Sequence, residues 1–271
     1  MRMNDMNILP RELRINISNL IIWTMILAGL GILVMVFFPS LARQAATLEK
    51  VMSSLPRGVL LAFGLEKISM TDLLGYYAAN QYTTVTLFGS IYAILLSSAM
   101  LAKEESEKTI EFLLSRPISR WKIVSAKLLA IVILVLIFNL LITFIMYITL
   151  VAVKTQDFSL KVFLLLSAGS FLLHLTFASI GYLLSALARG NRPLTPAALA
   201  VVLITYFLGI ASALSARLDF LKFLSPFKYV DAVDILIHEN IASNYLLLII
   251  VINLAAIALT YLLYQRKDFA I

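Results

Sequence analysis

The chain has 271 residues, of which 61% are hydrophobic and 14% charged, with a mean hydropathy of +0.96 and a formal charge of +7. Soluble domains run nearer a quarter charged, so this composition excludes a water-soluble globule and points to the bilayer as solvent. The absence of cysteine excludes a disulfide framework, a thiolate metal site and a Cys nucleophile, and the two histidines, His174 and His238, do not suffice for a multi-histidine metal centre.

A helix needs roughly 20 mostly apolar residues to cross the hydrocarbon. Taken in chain order, six runs meet that length. The first, 20–38, is ended by Pro39. Its apolar core exceeds the roughly 7–15 residues of a signal peptide, so it reads as a retained span. Residues 39–81 mix polar and apolar positions with helical spacing and predict short amphipathic helices at the outer interface. The second span, 82–102, carries Gly89, Ala93 and Ser97 at a spacing of four. That small-residue stripe lets another helix approach closely, from this chain or a second copy. A charged island follows, and then the third span, 128–153, long enough to tilt or to pass the headgroups. The fourth is 162–188 and the fifth 194–216. Residues 217–244, broken by Pro226, again predict short interfacial helices, and 245–264 is the sixth span. The predicted fold is all-α: one polytopic membrane domain over 1–271, a bundle of six transmembrane helices with short amphipathic helices at both interfaces.

Charge orients the bundle. With the N-terminus inside, the segments 1–19, 103–127, 189–193 and 265–271 hold 13 Lys and Arg, and the longer outer segments hold 9. Cytoplasmic loops collect basic residues, so both termini are expected in the cytoplasm of a multi-pass cell-membrane protein. The same rule accounts for the basic balance without a nucleic-acid partner.

The six runs contain no Asp, Glu, Lys or Arg. Ion-coupled carriers and pumps need intramembrane carboxylates to bind and release charge at mid-depth. Energy for any transport therefore has to come from elsewhere. His174 lies near a membrane centre and reads as a packed, hydrogen-bonded neutral residue rather than a relay. Asn139, Thr143, Thr176, Thr205 and Asn253 supply mild polar atoms able to bond across helices.

The island, "KEESEKTIEFLLSRPISRWKIVSAKLL", opens with a strong helix former. Glu104 and Lys108 form a favourable i, i+4 pair, while Glu107 and Glu111 repel by a few tenths of a kcal/mol. Glu104, Glu107 and Glu111 share a face, with Ile110, Leu113 and Leu114 further round. Pro117 stops the helix. Ser119 is placed to cap the next one, with Ile118 and Ile123 as a hydrophobic staple. The island thus reads as helix, turn, helix. Its acidic face is misplaced for an anionic lipid surface and suits water or a basic protein partner.

The run Glu104–Glu105 followed by Lys108–Thr109–Ile110–Glu111–Phe112–Leu113–Leu114–Ser115–Arg116–Pro117–Ile118–Ser119–Arg120 resembles the cytoplasmic hallmark of exporter-type (type-two) ATP-binding-cassette permeases. "PRELRINISNLIIW" is similar to the amphipathic helix that leads into span one in that family, and the segments after spans one and five look alike more weakly. Lys108 departs from the Gly of many relatives. The resemblance implies that 103–122 is a coupling segment docking on a separate ATPase. Glu104, Glu105, Glu107, Thr109, Glu111, Leu113 and Leu114 would meet the ATPase, and Pro117, Ser119 and Arg120 would set the turn. It also implies two ATPase subunits per complex, a second permease copy or sister permease, and ATP with Mg held by the partner and not by this chain. The chain itself has no G-x-x-x-x-G-K-[ST] phosphate loop.

Two other readings compete. One is a non-transporting membrane subunit or sensor. The other is an intramembrane glutamate-type protease built on Glu104–Glu105, for which Thr109 stands where a basic residue is needed and His238 falls in an outer loop.

Overall fold

The computed structural model describes residues 8–44, 50–51, 53–62, 66–106, 119–188 and 193–267. Among these, six helices are long and apolar enough to cross a membrane, and no strand occurs. Helix α1 spans Ile8–Val36, followed by the short α2 (Phe38–Arg43) and α3 (Arg57–Ala62). Helix α4 (Leu73–Tyr77) runs through a π-helical turn, Ala78–Tyr82, into α5 (Thr83–Ser106). Next come α6 (Arg120–Val153), α7 (Leu160–Leu187) and α8 (Thr195–Leu214). Two 3-10 segments, Ala216–Leu224 and Pro226–Val230, lead to α9 (Ala232–His238) and α10 (Ser243–Arg266). Short helices therefore occupy both segments, 39–81 and 217–244, that the sequence marks as interfacial.

Pro39 does not simply end the first span. Phe37 breaks the helix, and Pro39 sits in the first turn of α2, where its missing N–H costs nothing. The residues resembling a separate lead-in helix are continuous with α1, which has 29 residues and is about 43 Å long. Helix α6 has 34 residues and is about 51 Å long. Both exceed a hydrocarbon core of about 30 Å, so each carries its helical backbone well past the apolar run.

The bundle has two ends. The proximal end carries Ile8, Ser106, Arg120, Leu187 and Arg266; the distal end carries α2–α4, the 3-10 segments and α9. The α5–α7 pair is the most extensive packing in the molecule, followed by α1–α6 and α7–α10. One apolar core runs through all of them. In α7 the buried positions include Leu166, Ser170, Leu173, His174 and the consecutive run Thr176, Phe177, Ala178 and Ser179, so the helix is enclosed on more than one side, as a central helix of a bundle is.

Candidate functional site

The stripe expected on span two meets α7 of the same chain. An ideal Cβ added to Gly89 would lie 2.4 Å from His174 Cε1 and Nε2, so glycine is what lets the imidazole reach α5. Four residues on, Ala93 is fully buried. Ser97 lies against Gly181 of α7, where an added Cβ would be 2.2 Å from Ser97 Oγ. His174 contacts Asn139 Oδ1 of α6 through Nδ1 (3.0 Å) and the Val85 carbonyl of α5 through Nε2 (3.1 Å). Asn139 in turn donates to the Val135 carbonyl at 2.8 Å, and Asn253 of α10 donates to Thr176 Oγ1 at 3.0 Å. These mild polar atoms knit α5, α6, α7 and α10 at mid-depth.

The proximal end holds a second, charged junction. Lys127 Nζ donates to Glu12 Oε1 at 2.7 Å and to the Met100 carbonyl at 2.7 Å. Lys127 is 1% exposed and Glu12 8%. One ammonium thus joins α1, α5 and α6. Beside it, the amides of Leu101 and Ala102 both donate to Ser185 Oγ of α7, at 2.8 and 2.9 Å. A hydroxyl inserted among helix amides in this way is a recognised cause of helix bending. Tyr182 of α7 donates to the Val124 carbonyl of α6 at 2.8 Å.

The sequence did not flag Glu12 or Lys127, because each lies outside the apolar run it adjoins. A signal was present: Lys127 is four residues after Ile123 and four before Ile131, both buried, so it occupies the packed stripe of α6. Ser185 is likewise eight residues after Phe177 on the buried stripe of α7.

Of the residues expected to dock or turn, Glu104 and Glu105 fall in the last turn of α5. Glu107, Thr109, Glu111, Leu113, Leu114 and Pro117 lie outside the described residues, as does the staple position Ile118. Ser119 is the N-cap of α6 with an extended backbone (φ −67°, ψ 144°), and its carbonyl accepts from the Lys122 and Ile123 amides. Its hydroxyl makes no capping bond to them. Arg120 reaches the far side of the proximal end: Nη1 donates to the carbonyls of Tyr264 (3.3 Å), Gln265 (3.0 Å) and Lys267 (2.8 Å). A guanidinium there satisfies carbonyls that the end of α10 leaves open and opposes its dipole. Lys267 Nζ donates to the Ala188 carbonyl at 2.5 Å, tying the same end to α7.

The distal end contains cavities. One of about 110 Å³ lies between the π turn, α5 and α8, lined among others by Tyr82, Thr83, Thr86, Tyr206, Gly209 and Phe227. Its wall is pinned by Tyr82, whose hydroxyl donates to the Val230 carbonyl at 2.7 Å. A larger one, about 400 Å³, is lined by opposite charges that include Glu66, Lys67, Asp219, Lys222, Lys228 and Asp234. A third, about 270 Å³, is walled by Tyr229, Asp231, Asp234, His238 and Tyr245. Asp231 borders all three. It caps α9 through Oδ1 and pairs with Lys228 through Oδ2 at 2.5 Å. Partial desolvation, and then the Asp231 charge, raise the Asp234 carboxyl from its ordinary value. The π turn places Tyr82 and Thr83 against this space; such turns recur at functional sites because they re-aim side chains within a continuous helix. Among the described residues no group of acids and histidines is arranged to hold a metal ion.

The sequence model of a family described as "ABC-2 family transporter protein" matches residues 6–269. No curated protein matches the chain.

Proposed function

Because the chain belongs to the ABC-2 family of transporter proteins, and is thereby a multi-pass membrane permease subunit of an ABC transporter, we propose that it exports its substrate on energy supplied by a separate ATPase subunit. In this reading the segment between α5 and α6 is the ATPase dock, both termini are cytoplasmic, and the proximal end faces the cytoplasm of a prokaryotic cell. Two ATPases bind ATP and Mg. They act on a pair of permeases, this chain with a second copy or a sister chain. The distal cavities lie on the exit side of the path.

The observation that carries the reading is the proximal junction. The helices on both sides of the proposed dock are fixed to their neighbours by buried polar bonds: α5 through Met100, Leu101 and Ala102, and α6 through Lys127 and Val124. A push on the segment therefore meets backbone held on several sides. The lack of Asp, Glu, Lys and Arg in the apolar runs removes the usual means of ion coupling. ATP closure of the partner shifts access only to the extent that the two permease states bind the partner differently.

Substituting Glu111→Lys together with Leu114→Asp tests the dock. Membrane insertion should be unchanged while capture of the permease by its tagged ATPase is lost. Capture at the wild-type level by the double variant would show that docking lies elsewhere.

A further inference from the structure

The Glu12–Lys127 pair is an unusual way to hold helices together. Taking two charges out of water is expensive, and apolar residues of similar volume commonly hold a fold as well or better. What an ion pair adds is geometry. An ammonium–carboxylate hydrogen bond at 2.7 Å admits a narrow geometry and is lost as a hydrogen bond once the atoms part by about 1 Å.

The position of the pair matches that property. Met100 is three residues before Lys103, where the proposed docking segment begins, and Lys127 is on the first turns of α6, just after it ends. The same Nζ holds the Met100 carbonyl, so both roots of the segment meet at one atom. Glu12 then fastens α1, which makes no chain connection to the segment. The pair is also not packed solid. A small cavity of about 40 Å³ opens beside it, lined by Ile15, Asn16, Leu96, Ala99 and Lys103 together with the pair itself. That volume holds a water or lets a side chain change rotamer. A discrete contact next to free space is what a two-position element requires.

We infer that Glu12 and Lys127 are positioning residues for energy coupling: the pair makes α1 follow the roots of the docking segment when the ATPase closes. The inference rests on the proposed docking of an ATPase at that segment. Neither residue touches substrate or nucleotide. Their role is to fix α1, which already packs along α6, to the α5 root as well, so that movement of α5 and α6 at the proximal end carries α1 in register with both.

The test uses the permease–ATPase complex in lipid nanodiscs. The chain has no cysteine, so spin labels attach at single introduced sites. Ile17 of α1 and Leu262 of α10 are half exposed, at 50% and 53%, and suit labelling. In the otherwise unmodified complex, ATP with vanadate should shift the distance between these labels. In Glu12→Leu with Lys127→Met, the complex should still assemble and hydrolyse ATP, while the shift is lost. Glu12→Gln with Lys127→Gln, which keeps polar side chains and removes both charges, should behave the same way and guards against a packing defect in the first variant. A full shift in either assembled variant would overturn the inference, because the pair would then be structural alone. Failure of the unmodified permease to bind any ATPase would overturn the docking reading, and the inference with it. The two failures are told apart by capture of the ATPase before nucleotide is added.

Discussion

Gly181→Ala is expected to destabilise the bundle by roughly 1–2 kcal/mol. The new Cβ would sit 2.2 Å from Ser97 Oγ, 2.6 Å from the Ile94 carbonyl oxygen and 2.9 Å from Ile94 Cγ1. Ser97 cannot turn away freely, since its hydroxyl already bonds the Ala93 and Ile94 carbonyls of its own helix. The Ile94 carbonyl is backbone and moves only if α5 moves. Overpacking of this kind costs about 1–3 kcal/mol, offset by up to about 1 kcal/mol for replacing a helical glycine by alanine. Gly29 on α1 is the control, because an added Cβ there meets nothing within 4 Å. Gly29→Ala should be neutral or more stable by up to about 1 kcal/mol. Reversible unfolding in mixed detergent–SDS micelles measures both. Adding Ser97→Ala to Gly181→Ala should recover part of the loss and not all, since the carbonyl contact persists. Equal stability of the Gly181 and Gly29 variants would refute the claim that close α5–α7 approach requires glycine.

Arg120→Gln removes the charge that serves three carbonyls at the end of α10; a loss of about 1 kcal/mol confined to that turn is expected, read as faster amide exchange over residues 260–267 with exchange in α7 unchanged. Tyr82→Phe leaves the Val230 carbonyl without its buried donor and should cost about 1 kcal/mol in the same unfolding assay, with increased proteolysis of the 226–230 segment. The Asp234 carboxyl is raised in the folded state by burial and by Asp231, so the folded chain holds a proton that the unfolded chain releases. Stability should therefore fall as pH rises from the ordinary carboxylate range through the raised value, and stay lower above it. Asp234→Asn should abolish that fall, making the variant more stable than the unmodified chain at neutral pH and no more stable in acid.

The six helices were legible because hydrophobic length is a one-dimensional property, and a segment that must satisfy its backbone inside lipid has few alternatives to a helix. The fold class follows from that alone. The partner of the Gly89–Ala93–Ser97 stripe was not legible, because helix pairing depends on which small residues face one another across sequence separations as large as that from Ser97 to Gly181. The Glu12–Lys127 pair was hidden for a related reason. Each residue alone looks like an ordinary interfacial charge, and only the 115-residue gap closing to 2.7 Å turns them into a buried contact. The sequence places Arg120 at the turn into α6, and its guanidinium crosses from there to α10, a destination set by the length of an arginine side chain and the open carbonyls there. The 3-10 and π segments, of five to nine residues, are too short to display a period distinct from that of an α-helix, so 217–244 reads as short helices but not by type.

Helix α5 links the two ends of the molecule. Its span is 67% buried within the chain, against 22% for that of α8 and 17% for that of α10, so α5 is gripped along its length while α8 and α10 face outward over most of theirs. At one end Tyr82, Thr83 and Thr86 line the distal cavity between α5 and α8. At the other, Met100, Leu101 and Ala102 are held by Lys127 and Ser185. These groups lie about 27 Å apart along the helix axis. A helix of that length packed against α7 by close glycine contacts moves as a rod rather than by bending in the middle. On the proposed docking of an ATPase, a displacement at the proximal junction would reach the wall of the distal cavity along this one helix. The α8 side of that cavity packs on α5 and on the 3-10 segments, with Tyr206 against Phe227 and Gly209 against Ser225. The cavity thus has one wall on the helix most buried within the chain and one on a helix that is mostly outward-facing.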